Sequence, residues 1–163
     1  MPDWQQIVDE HGPAAYRIAR RILGHAADAE DVCQEVFREV YRVTGVRNVT
    51  NLPGLVRRLA SLRSVDYLRK RKPTVPLDDL AVAKDCEGPP AVAIARELAE
   101  RLRACLAQLP EQQAAVFALR YFENLTNGEI AASLNTSPSA VSTALSKARD
   151  ALGRMLDQEN PEN

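Results

Sequence analysis

Residues 126–152 read Thr126-Asn127-Gly128-Glu129-Ile130-Ala131-Ala132-Ser133-Leu134-Asn135-Thr136-Ser137-Pro138-Ser139-Ala140-Val141-Ser142-Thr143-Ala144-Leu145-Ser146-Lys147-Ala148-Arg149-Asp150-Ala151-Leu152. Thr126 and Glu129 form a T-x-x-E capping box: the Thr hydroxyl accepts from the third helical N–H and the Glu reaches back to the cap. The helix they open, Asn127 to Leu134, is short, and Asn135 can take the left-handed conformation that a tight stop needs. Ser137 caps and Pro138 opens a second helix, in which Val141, Leu145, Ala148 and Leu152 face inward. Two helices joined by about three residues, the first of them short, have helix-turn-helix spacing. Ala131 is small where two crossing helices touch, and Leu134 and Val141 bracket the turn. An ordinary αα-hairpin has the same outline, so the motif alone leaves DNA contact open.

The preceding residues continue the helical period. Ala95, Leu98, Leu102, Cys105 and Leu109 recur at 3.6-residue spacing. Pro110 sits where a first helical residue tolerates proline, and Val116, Leu119 and Phe122 supply the next apolar face. Further upstream, Pro73, Pro76, Pro89 and Pro90 crowd around Gly88 and several acids. Proline interrupts helices and extends its predecessor, so 73–90 reads as a linker. The N-terminal half is helical again. A short helix from Trp4 to about Glu10 is expected to break at Gly12, and Pro13 to begin a second with Tyr16, Ala19, Ile22 and Leu23. A third opens at Asp28 with Val32, Val36, Phe37 and Val40 inward. Residues 44–51 form a polar loop, and Pro53 starts a last helix with Leu55, Val56, Leu59 and Leu62 inward. The expected fold is all-α, with two small helical domains, 1–72 and 91–163, on either side of the linker.

Composition narrows the class. At 163 residues, 45% hydrophobic and 26% charged, the chain is too apolar for disorder, and 5% aromatics with 7 glycines argues against an all-β fold. No stretch is apolar enough to span a membrane, and the N-terminus lacks the basic and apolar regions of a secretory signal, so a cytoplasmic protein is expected. Cys33, Cys86 and Cys105 are widely spaced without a CxxC, and His11 and His25 do not repeat at ligand spacing, so no metal and no cofactor are expected. The net charge of −1 conceals polarity: residues 57–72 carry seven cations against Asp66 alone, whereas 73–90 are acidic. A local basic patch is what steers a polyanion. A solvated basic helix end has the same composition.

Several segments in this order resemble one family. Asp28-Ala-Glu-Asp-Val-Cys-Gln34-Glu35-Val-Phe37 is similar to the D-A-E-D-x-x-Q-E-x-F helix of bacterial sigma factors, and Asp66-Tyr-Leu-Arg69-Lys-Arg71 to the end of their second conserved region. Leu109-Pro110-Glu111, Leu119-Arg120-Tyr-Phe, Glu129-Ile-Ala131 and Lys147-Ala148-Arg149 are similar to their fourth region. Two such regions on a short linker resemble the extracytoplasmic-function (ECF) group of the sigma-seventy family, from about His11 to Leu156.

The resemblance implies a non-catalytic subunit that binds core RNA polymerase and places it on promoter DNA. It implies that Asp28, Asp31, Gln34 and Glu35 dock on the β′ clamp helices; helix capping by Asp28 and Asp31 is a compatible second role. It implies a pocket for a flipped minus-ten base near loop 44–51, to which Arg47, Asn48 and Asn51 are assigned. Arg58, Arg63, Arg69 and Arg71 are assigned to phosphates, which supply affinity without sequence information. The C-terminal domain is expected at the β flap and the minus-thirty-five element, with Ser139, Ser142, Thr143, Ser146, Lys147 and Arg149 on the DNA. For the linker acids Asp78, Asp79, Asp85 and Glu87, a path into the polymerase channel and a solvated tether are both open. An anti-sigma factor is the expected second partner.

The chain departs from the family pattern in three places. Leu55 stands for a usual Trp and Leu62 for a usual Asn, and Ser142, Ala144 and Ser146 replace Lys, Arg and His of the recognition helix. Short hydroxyls bond bases or phosphates without the charge or reach of Arg and Lys. That neutrality favours a rival reading: a sigma-like helix-turn-helix regulator acting without polymerase, or as a decoy.

Overall fold

The structure, a computed structural model, describes residues 3–71 and 90–158. The linker acids Asp78, Asp79, Asp85 and Glu87 lie outside the described residues. Within them the chain is all-α: α1 (Trp4–Leu23), α2 (Ala26–Val46), α3 (Leu52–Lys70), α4 (Pro90–Leu106), α5 (Glu111–Tyr121), α6 (Asn127–Leu134) and α7 (Pro138–Gln158).

Helix α1 starts where the Asp3 side chain accepts from the Gln5 N–H at 3.0 Å. The break expected at Gly12 does not occur; α1 runs unbroken with Pro13 inside it. A mid-helix proline costs roughly 3 kcal/mol. Ile7 on one side of it and Ile18, Ile22 and Leu23 on the other are buried, at about 1.5–3 kcal/mol for each large side chain, so packing outweighs the lost hydrogen bond. Gly24 ends α1 at φ 78°, its N–H on the Arg20 carbonyl at 2.9 Å.

Helix α2 opens at Ala26, two residues before the expected Asp28, with His25 at the cap position. It also outlasts the reading. Thr44, Gly45 and Val46, expected in the loop, are helical, and the Thr44 hydroxyl donates to the Val40 carbonyl at 2.8 Å. The polar loop is therefore 47–51. Asn51 caps α3 by accepting from the Gly54 N–H at 3.1 Å. Gly54 must be glycine for this cap, since a Cβ would lie 2.4 Å from the Asn51 amide nitrogen.

Helix α3 differs most from its expected face. Val56 is buried, but Leu55, Leu59 and Leu62 are only half-buried, whereas Gly54, Ala60, Ser61, Ser64, Val65 and Leu68 are buried with Val56 on the opposite face. The reason is that α3 has neighbours on two sides. It packs on α1 and α2, and on α5 and α6. Small residues at 60, 61 and 64 let those backbones approach.

In the C-terminal half, Pro110 is the cap residue of α5 rather than its first helical residue. Of the expected α4 face, Cys105 and Leu109 are buried, Leu102 is partly buried, and Ala95 and Leu98 are exposed. Thr126 and Glu129 make both bonds of the capping box at 3.2 Å. Asn135 stops α6 at φ 55°, and the Ser137 hydroxyl accepts from the Ala140 N–H at 3.1 Å. Val141, Leu145, Ala148 and Leu152 are buried, and one cluster of buried residues extends from Ile7 to Leu152.

Candidate nucleic-acid interface

The end of α2, the loop after it and the outer face of α3 enclose a groove of about 490 Å³. Arg42, Arg47, Arg58 and Arg63 line it together with the carboxylates of Glu39 and Glu111, over a floor that includes Leu55 and Leu59. Four guanidiniums against two carboxylates leave the concavity net positive, which attracts a phosphate backbone, and Arg47, Arg58 and Arg63 each have a fork that fits phosphate oxygens, whereas that of Arg42 is held by Glu39. Arg42 was missed by sequence reasoning, because it lies before the loop on a helix read for its apolar stripe. Its nearness to the loop was the available signal. Glu39 accepts from the Arg42 Nε at 3.1 Å, which lowers the Glu39 pKa and raises that of Arg42.

Beside the groove is a cavity of about 370 Å³ bounded by Ile7, Thr44, Gly45, Arg47, Asn48 and Leu52 among others. Arg47 and Asn48 thus line a pocket, and Arg47 lines both. Asn51 does not line either. Its side-chain oxygen is occupied by the α3 cap.

The remaining candidates of the N-terminal half divide. Asp31, Gln34 and Glu35 are exposed on α2, at the three- and four-residue spacing that places them on one face. Asp28 is committed elsewhere. It accepts from Arg71 at 2.6 Å and from the Tyr67 hydroxyl at 2.9 Å, and Arg71 also donates to the Leu23 carbonyl at 3.0 Å. The bond to Asp28, then burial, raises the Tyr67 pKa. Arg69 donates to the Ala107 carbonyl at 3.3 Å and to that of Leu109. Next to the acidic face, burial and then Glu30 push the Cys33 thiol up to about 11.

On α7, Ser139, Ser142, Thr143, Ser146, Lys147 and Arg149 are all exposed, while Ala144 is half-buried against the core. The Thr143 hydroxyl donates to the Ser139 carbonyl at 3.1 Å. Arg149 lies over the Tyr121 ring, 5.3 Å from its centroid, and donates to its hydroxyl. Among the described residues no cluster of His, Cys, Asp and Glu could hold a metal ion, and no helix is long and apolar enough to cross a membrane.

Comparison with known proteins meets this geometry. Residues 7–74 match the family model of Sigma-70 region 2, and residues 99–152 match that of Sigma-70, region 4. The chain is 28% identical to the ECF RNA polymerase sigma factor SigE of Mycolicibacterium smegmatis over 166 residues, covering 99% of this chain and 65% of that protein. It is 27% identical to the ECF RNA polymerase sigma factor SigW of Bacillus subtilis, covering 92% of this chain and 87% of the relative. With the RNA polymerase sigma-H factor of Pseudomonas aeruginosa it shares 26% identity over 83% of its own length and 77% of the relative's.

Proposed function

Since the chain belongs to the sigma-70 family, in its ECF group, and is a sigma factor that binds RNA polymerase and recognises promoters, we propose that three surfaces divide this work. The acidic face of Asp31, Gln34 and Glu35 docks on the β′ clamp helices. Asp28, held by Arg71 and Tyr67, positions the start of that helix. The groove of Arg42, Arg47, Arg58 and Arg63 holds the minus-ten strand by its phosphates, and Arg47 and Asn48 receive an unstacked base in the adjoining cavity. The exposed hydroxyls of α7, with Lys147 and Arg149, face the minus-thirty-five duplex while the same domain meets the β flap. The chain acts in the cytoplasm as an initiation factor and not a catalyst, and an anti-sigma factor restrains it.

The observation that carries this reading is the groove lined by four arginines beside the cavity of Arg47 and Asn48. The rival regulator reading has no use for the acidic face on α2. The test is in vitro transcription with core polymerase on a genomic fragment library, with start sites mapped. We expect discrete start sites that depend on the chain, and their loss with Arg58→Glu and Arg63→Glu. Asp31→Ala with Gln34→Ala is expected to weaken core binding about tenfold or more, at unchanged helix content. Ten- to hundredfold corresponds to about 1.4–2.8 kcal/mol. Unchanged core affinity in that folded variant removes the docking assignment.

A further inference from the structure

The outward stripe of α7 carries one cation, and that cation is held from another helix. At about 3.6 residues per turn, positions 142 and 149 lie within about 20° of each other round α7. Arg149 therefore continues the line of Ser139, Ser142 and Ser146, whereas Lys147 is turned roughly 140° away from Ser142. All five side chains are exposed. The stripe thus presents hydroxyls where a duplex-reading helix ordinarily carries charge, and then a guanidinium nearly one turn beyond Ser146.

Tyr121, the last residue of α5, supplies the hold. The Arg149 Nε donates to the Tyr121 hydroxyl, and the guanidinium carbon lies 5.3 Å from the ring centroid, where the negative face of the ring attracts a cation. The ring is itself braced: that of Phe117, one turn earlier, is 4.5 Å away between centroids. Helices α5 and α7 pack on each other, so both partners stand on fixed elements. The bond to the phenol uses only Nε. The two terminal nitrogens keep their N–H donors and the planar fork that fits phosphate oxygens. Arg42 has the opposite arrangement, since Glu39 takes both its Nε and a terminal nitrogen and opposes its charge.

A free arginine side chain samples many rotamers and gives up that freedom on binding. One that is already fixed loses less when it meets a phosphate. We infer that Tyr121 is a positioning residue for promoter binding: it aims Arg149 in advance at a phosphate of the duplex beside the neutral stripe, so that one preorganised charge does part of the work of the missing Lys, Arg and His. The inference rests on the reading that α7 faces the duplex. It brings into that surface a residue of α5, a helix whose sequence shows only its apolar face of Val116, Leu119 and Phe122.

The test uses holoenzyme, core polymerase with the full chain, titrated against a promoter fragment recovered in the start-site mapping, over a series of salt concentrations. Arg149→Gln is expected to weaken binding about tenfold and to flatten the log–log salt dependence by about 0.9, as the loss of one phosphate contact does. Tyr121→Leu removes ring and hydroxyl and is expected to weaken binding about three- to fivefold, although no charge is lost. Tyr121→Phe keeps the ring and is expected to cost about two- to threefold. In an Arg149→Gln background both Tyr121 losses should vanish, because Tyr121 acts through Arg149. Losses that add, no loss in Arg149→Gln, or folded Tyr121 variants that bind as the parent does overturn the proposal. Should Tyr121→Leu fail to fold, Tyr121→Phe with and without Arg149→Gln decides it. If the parent chain directs no start site, the sigma reading falls. The same full-length variants are then titrated without core against a duplex of about 30 base pairs, and a failure of every form to bind, or an unchanged salt slope in Arg149→Gln, overturns the assignment of Tyr121.

Discussion

Thr126 and Glu129 close a reciprocal pair of hydrogen bonds at the start of α6. The backbone bond from Thr126, then its side chain, lowers the Glu129 pKa from 4.5. A carboxylate with a depressed folded-state pKa adds stability that is complete above its unfolded value and fades as pH falls through the folded one. Thr126→Ala is therefore expected to cost about 1 kcal/mol at pH 7, and less at pH 3, by denaturant titration at the two pH values. This pair was legible because a cap is written within four residues. The Asp28–Arg71 pair was not: its partners are 43 residues apart, one near the start of α2 and the other at the end of α3, and only the fold brings them together. Ser64 makes a second case. Its hydroxyl is buried with no hydrogen-bond partner among the described residues, and an unsatisfied buried polar atom costs about 1–3 kcal/mol. Ser64→Ala is expected to raise the midpoint of thermal unfolding by about 2–4 °C for each kcal/mol recovered.

At the scale of elements, helical period located every described helix but not what each one touches. The face of α4 repeats correctly, yet Ala95 and Leu98 remain exposed, because periodicity records amphipathicity and says nothing of whether a partner is present. Pro13 misled for the opposite reason: a local breaker lost to the burial of Ile7 before it and of Ile18 and Ile22 after it. On α7 the distinction decides an experiment. Ala144 replaces a family cation, but it is half-buried, whereas Ser142 and Ser146 are exposed and one helical turn apart. Cations therefore belong at 142 and 146. Ser142→Lys with Ser146→Arg is expected to tighten duplex binding by about 1–3 kcal/mol where one bidentate base contact forms. It should also steepen the log–log salt dependence by about 0.9 for each new phosphate contact. Titrations at two or more salt concentrations separate these effects. An unchanged slope would mean that this face does not meet the duplex.

At the scale of the molecule, two helical units with a proline-rich joint between them were readable from the sequence, but their union was not. The clue lay in α3, whose buried residues, Gly54, Val56, Ala60, Ser61, Ser64, Val65 and Leu68, cover a broad face built largely of small side chains instead of a narrow stripe of leucines. A buried face that broad takes neighbours on both flanks: α1 and α2 cover α3 from one side and α5 and α6 from the other. One buried cluster spanning both halves implies one cooperative unit. The single tryptophan makes this measurable. Trp4 packs edge-on against Phe37 and Tyr41, with ring centroids 6.3 and 5.1 Å away, so its fluorescence reports on the N-terminal half alone. Far-UV circular dichroism reports on both halves. In the parent chain the two signals are expected to give the same midpoint and slope in urea. Arg17 and Arg21 of α1 donate to the Glu123 carboxylate of the other half. In Arg17→Gln/Arg21→Gln the two signals should separate, because each half then unfolds on its own smaller buried surface and with a smaller dependence on denaturant. Coincident transitions in the variant would mean that the apolar contact of α3 with α5 and α6 holds the halves together without the arginines. Separate transitions in the parent would mean that the shared core is too thin to couple them.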